Sequence, residues 1–238
     1  MTTGRHVDSF FSAVHHFTGI RTVRGAKHPI DGGTLIWAPI VGLFAAFFAI
    51  SFYIPLSAFY LPADVAVIPV LAAAGWLRGF KPEIDFCNLC NSLFGSRESA
   101  SSPGGVPGTA CMVLAILFKY AIIRQFFPLE AIRLLGFGTL ISFVVALFHP
   151  GRTAGWIKCI GIFWLMISAF AAFSSMKALG SAGLLAIIRG PLLAGALIYL
   201  CARLTFQLAE EPASPNVAAL PGELAAYVSF ILVRYHFL

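Results

Sequence analysis

Glu83, Asp85, Asn88 and Asn91 fall within nine positions of one another in residues 79–95, GFKPEIDFCNLCNSLFG. The whole chain of 238 residues holds only ten acidic side chains, so two carboxylates beside two carboxamides mark a place for a cation or a phosphate-bearing ligand. Positions three and four apart share a helix face. Asp85 with Asn88, and Asn88 with Asn91, meet that spacing, while Glu83 reaches them from the preceding turn. Carboxylate and amide oxygens are hard ligands of the kind Mg²⁺ accepts, with water and substrate phosphate completing its octahedron. The plain alternative is a polar connection between helices that carries only helix caps.

The elements that must position these residues are membrane helices. Hydrophobic residues make up 59% of the chain and charged ones 11%, with a mean hydropathy of +0.87, far from the balance of a soluble domain. A spanning helix needs roughly 20 mainly apolar residues, and candidates lie at 35–56, 64–79, 109–127, 134–149, 156–176, 183–202 and 217–235. The second is short and the last carries Pro221 and Glu223. The expected fold is all-α, a polytopic membrane protein of about six to seven transmembrane helices forming one membrane domain over 1–238. Residues 1–33 would be a cytoplasmic N-terminal segment and 78–108 a cytoplasmic polar loop.

Residues 1–33 are polar and basic, without the apolar core of a cleavable leader, so the amino terminus is expected in the cytoplasm. Alternation then puts Arg5, Arg21, Arg24, Lys27, Arg78, Lys81, Arg97, Arg152, Lys158 and Arg203 on that side and only Arg124, Arg133, Lys177 and Arg234 on the other. That is the bias the positive-inside rule requires. A formal charge of +6 raises nucleic acid as a partner, but the basic residues are spread over several loops and no nucleic-acid module is visible. Five cysteines, mostly in or beside spans, speak against a disulfide framework.

Smaller features have ordinary readings beside functional ones. Residues 7–19 suit a short amphipathic helix at the membrane interface, with Phe10, Phe11, Val14 and Phe17 on one side. Adjacent His15 and His16 point about 100° apart on such a helix, which favours interface residues over metal ligands. Asp31 is read as a cap or turn residue, or as facing the polar site. The Gly, Ser and Pro content of 95–108 describes a loop whose backbone N–H groups can approach phosphate oxygens. The connections 149–155 and 206–216 are expected on the same face. Cys87 and Cys90 have the spacing of a redox or zinc half-site with no second pair, so small buried residues are the simpler account. Lys119 and Arg189 lie inside apolar runs, where charge is costly and often functional; snorkelling or a buried ion pair explains them equally, and a small transporter is a further alternative. No repeat is visible.

In order of features the chain resembles the cobalamin synthase family, membrane-bound adenosylcobinamide-GDP ribazoletransferases. Phe17-Thr18-Gly19 and the Pro39-Ile40-Val41-Gly42 start of the first span look similar to family elements. The frame from Gly79-Phe80 to Leu93-Phe94 is similar to the family's acidic signature, with one extra residue and with Glu83, Asn88 and Asn91 at three aspartate positions. Gly104-Gly105 and Gly108 lead to Phe118-Lys119-Tyr120, keeping the family's glycines and lysine but not its aspartate. Gly136-Phe137-Gly138-Thr139 stands for an element whose arginine is missing, and Asn216 and Glu223 resemble a terminal Asp and Glu seven residues apart.

The resemblance spans nearly the whole chain. It implies transfer of α-ribazole or its phosphate onto GDP-activated cobinamide with release of GMP, helped by Mg²⁺, at the cytoplasmic face of the inner membrane. Glu83, Asp85, Asn88 and Asn91 would be catalytic and metal-binding. Lys81, Gly104, Gly105, Gly108, Arg152, Lys158, Asn216 and Glu223 would hold substrate phosphates. A homologue that binds a corrinoid or a membrane partner without catalysis is the alternative, and a homo-oligomer or corrinoid-pathway partners stay open.

Overall fold

The computed structural model describes residues 3–22, 30–58, 61–95, 105–126, 128–151, 153–173, 181–209 and 214–237. These residues form helices throughout: α1 (Thr3–Phe17), α2 (Gly32–Ile36), α3 (Ala38–Ala58), α4 (Ala63–Leu77), α5 (Lys81–Phe94), α6 (Val106–Ile123), α7 (Pro128–Val144), α8 (Gly155–Phe173), α9 (Ser181–Leu208) and α10 (Ala219–Phe237). A short 3₁₀ turn, Val145–Phe148, extends α7.

Among the described residues five stretches are long and apolar enough to cross a membrane: Gly32–Ala58, Val106–Ile123, Pro128–Phe148, Gly155–Phe173 and Arg189–Leu208. The chain is therefore a polytopic all-α membrane protein. Two expected spans fall outside that set. Residues 64–79 give α4, whose 15 residues rise only about 22 Å against a hydrocarbon core of about 30 Å. Residues 217–235 give α10, which packs against α9, α7 and α5 and turns Glu223 into the protein, where partners wait for it. In lipid every polar backbone group must be satisfied within the protein, and helices throughout meet that condition.

Pro128–Phe148 is the central element, 83% buried where the other spans are 28 to 44% buried. α3 and α10 pack on it, α9 packs on α10, and α8 closes against α9 and α7. Tyr53, Leu134, Ile141, Phe173, Ile198, Tyr227 and Phe230 are enclosed there. Large apolar side chains such as Phe44, Phe47, Leu114, Phe163 and Leu200 remain exposed. In water such a belt would drive aggregation; against acyl chains it is the expected surface. α1 docks Ala13 and Phe17 against Leu35, Ala38 and Val41, so its apolar side is covered by α2 and α3.

Residues 78–108, expected as a polar loop, hold the 14-residue helix α5 and the start of α6. The local reasons are readable. Pro82 sits in the first turn of α5, where its missing N–H is harmless, and Glu83 faces the positive end of the helix dipole. Pro107 plays the same part in α6. At α2 the Asp31 side chain accepts from the Thr34 N–H at 2.7 Å, so the capping alternative is the one the fold uses.

Candidate functional site

α4 ends in a turn that needs two consecutive left-handed residues, Gly79 at φ 60° and Phe80 at φ 52°. Glycine takes this conformation freely; for Phe80 it costs about 1–2 kcal/mol. Two contacts hold the turn. The Gly19 N–H donates to the Leu77 carbonyl at 2.6 Å, bringing the Gly19 and Gly79 backbones together, and the Phe80 ring covers Gly75. Reversal of the chain here turns Arg78 inward and starts α5 directly below it.

Arg78 meets three other charges inside the protein. One terminal nitrogen donates to Glu83 Oε1 at 2.8 Å; the other donates to Glu223 Oε2 at 3.0 Å and to Ser142 Oγ at 3.3 Å. Lys119 Nζ, from the middle of α6, donates to the same Glu223 Oε2 at 2.8 Å and lies 3.6 Å from Glu83 Oε1. The Tyr227 hydroxyl donates to Glu223 Oε1 at 2.8 Å. All four charged side chains are at most 5% exposed. Two cations and two carboxylates balance, the condition under which buried charge is tolerated. Arg78 Nε and Glu83 Oε2 are enclosed and have no hydrogen-bond partner among the described residues. Beside the cluster a cavity of ≈ 530 Å³ opens between α4 and α6.

No family model, curated protein or solved structure matches the chain.

The four residues expected to share one metal centre are divided by the helix that carries them. Glu83 enters the charge cluster. Asp85 and Asn88 line a separate cavity of ≈ 220 Å³ with Ser92, Ser214 and Val217. Burial, the largest effect, raises the Asp85 carboxyl above its ordinary range, opposed by a Ser214 hydrogen bond and the Lys81 charge. Asn91 is fully buried, and its Oδ1 accepts from the Gly108 N–H at 2.7 Å. Among the described residues no group of three or more His, Cys, Asp or Glu side chains is placed to hold a metal ion. The donor set therefore does not fit a four-ligand Mg²⁺ centre: one ligand is ion-paired, one is bonded to backbone, and two face elsewhere.

The expected phosphate groups also have structural partners. A side chain on Gly108 would run into the Cys87 carbonyl, and one on Gly105 into the Asn91 carboxamide, so these glycines seat α6 against α5. Lys81 Nζ donates to the carbonyls of His15, His16 and Thr18 at 2.6, 3.1 and 2.8 Å, which caps the C-terminus of α1. Asn216 is buried, donating from its carboxamide to the His16 carbonyl at 3.4 Å. Lys158 is half-buried on α8, which packs against α7 and α9 rather than α5. Gly104 and Arg152 lie outside the described residues. His15 Nδ1 accepts from the Thr22 N–H.

Arg78 escaped sequence reasoning because it was counted as a topology signal. A usable signal existed. An arginine five residues before a glutamate, at the end of an apolar run, with Lys119 and Glu223 inside two others, is the pattern of charges that must pair inside a membrane protein. The cysteine reading also missed Cys111. α6 brings its thiol to Cys90, and burial together with that hydrogen bond and nearby Cys87 pushes Cys90 up to about 12.

Proposed function

We propose that the chain is a divergent transferase of the cobalamin synthase type, joining α-ribazole or its phosphate to GDP-activated cobinamide with release of GMP. The observation that supports this reading is the convergence of Glu83, Lys119 and Glu223. Each stands at a position where the resemblance puts a functional group, on three different helices, and all three meet in one buried cluster. In the reaction the attacking ribazole hydroxyl oxygen forms the new bond to phosphorus, the phosphoanhydride bond to GMP breaks, and the hydroxyl proton is released. Arg78 and Lys119 would offset charge on the leaving phosphate once a substrate phosphate displaces Glu83 or Glu223 from them. By the same resemblance, the protein sits in the inner membrane with its amino terminus and site toward the cytoplasm.

One observation favours a second reading, a homologue that binds a corrinoid without transfer. Glu83 is neutralised by Arg78 and Lys119, and Asn88 and Asn91 stand at aspartate positions, so little negative charge remains to hold Mg²⁺. Purified protein given adenosylcobinamide-GDP and α-ribazole phosphate, with and without Mg²⁺, separates the two. GMP release supports the transferase. Retention of the corrinoid without GMP supports the binding homologue, and neither result while a control enzyme turns over in the same detergent removes both.

A further inference from the structure

The cavity between α4 and α6 has two unlike ends. Ile68 and Leu71 from α4 and Ile116 and Leu117 from α6 make apolar walls, while Arg78, Glu83 and Lys119 form the inner end. Ile68 and Leu117 are more than half exposed, so the mouth lies on the apolar outer surface of a spanning helix, where acyl chains are the surroundings. Its volume, ≈ 530 Å³, falls in the range of small-molecule sites.

The inner end constrains what the cavity accepts. Its charges already balance, so an additional buried charge would go uncompensated, and a phosphate or ammonium head group is disfavoured. The unmet needs are one donor, Arg78 Nε–H, and one acceptor, Glu83 Oε2. A hydroxyl is the smallest group that accepts from the first and donates to the second. Both atoms belong to residues that line the cavity's inner end.

We propose that this cavity is a lateral binding site for an uncharged amphiphile, a long-chain alcohol or acylglycerol that enters from the bilayer with its chain between α4 and α6 and its hydroxyl at Arg78 and Glu83. The inference goes beyond the transferase reading and does not require GMP release; probe labelling and GMP release are read separately, so failure of one is distinguishable from failure of the other.

The test uses the full chain in lipid nanodiscs and three photoreactive probes that carry a diazirine on the same alkyl chain: hexadecanol, hexadecyl phosphate and hexadecane. The alcohol is expected to label peptides of α4 and α6 about tenfold more than either other probe, the discrimination expected from paired hydrogen bonds. Ala72→Phe, which fills the cavity from α4, removes that labelling while labelling of α8 stays unchanged. Leu117→Trp does the same from α6 should the first variant not fold. Equal or stronger labelling by the phosphate overturns the uncharged head group. Equal labelling by the alkane, or labelling that survives both folded variants, overturns the site.

Discussion

Lys119 Nζ donates to Glu223 Oε2 at 2.8 Å across 104 residues of chain. Neither charge has a local reason to lie in its apolar helix. Together with Arg78 and Glu83 they form a unit whose members depend on one another, which sets the order in which substitutions become tolerable. Its stability follows from charge balance more than from any single bond.

The seat of α6 on α5 gives a first prediction. Gly108→Ala puts a methyl group against the rigid Cys87 carbonyl and is expected to lower stability by about 1–3 kcal/mol. Gly105→Ala meets the Asn91 carboxamide first, and a substitution can remove it. In detergent unfolding curves, the Gly105→Ala, Asn91→Ala double variant should match Asn91→Ala alone, while Asn91→Ala should not restore Gly108→Ala.

Lys81 links α1 to the start of α5. Lys81→Met removes the donor that three carbonyls share and is expected to destabilise the contact by about 1–3 kcal/mol. Hydrogen exchange read by peptide should quicken in α1 and the turn after it, with α7 unchanged. An equal change throughout the bundle would argue against a local capping role.

Asp85 predicts a pH dependence. Its folded carboxyl is raised above the ordinary 3.8, so its contribution to stability is present at low pH and is lost as pH rises through the folded value. Asp85→Asn should raise the melting temperature at pH 7 more than at pH 4. A gain equal at both pH values would contradict a half-buried, raised carboxyl.

Cys90 should be chemically quiet. With its thiol raised by burial and by the Cys111 thiol beside it, its thiolate fraction at pH 8 is far below that of an ordinary cysteine. Alkylation of the folded protein followed by peptide mass spectrometry should leave Cys90 unmodified, and rapid modification at pH 8 would refute the assignment.

The fold class was legible because it depends on composition: apolar runs near span length have few alternatives in lipid. α4 and α10 were harder for a physical reason, since the helix lining the charge cluster trades hydropathy for Glu223 and a short helix beside a cavity need not span. The polar stretch stands out in composition, yet its four residues were drawn together on spacing alone. α5 sends Glu83 and Asp85 to different sides, and no count of residue types reveals which side finds Arg78. Lys119 was read as either functional or ion-paired; its partner, on α10, lies too far along the chain for local pattern to name. Arg78 needed the Gly79-Phe80 reversal, whose left-handed turn is held by Gly19 from the bend after α1.

The most direct test of the account is a double-mutant cycle on Lys119→Met and Glu223→Gln, followed by unfolding in mixed detergent micelles. Each single change leaves an unbalanced buried charge and should cost about 3–5 kcal/mol. The pair leaves Arg78 and Glu83 to balance each other, so the double variant should be more stable than the sum of the singles by about 2 kcal/mol. Additivity within about 0.5 kcal/mol would mean that the two residues do not meet, and would remove the convergence on which the proposed function rests.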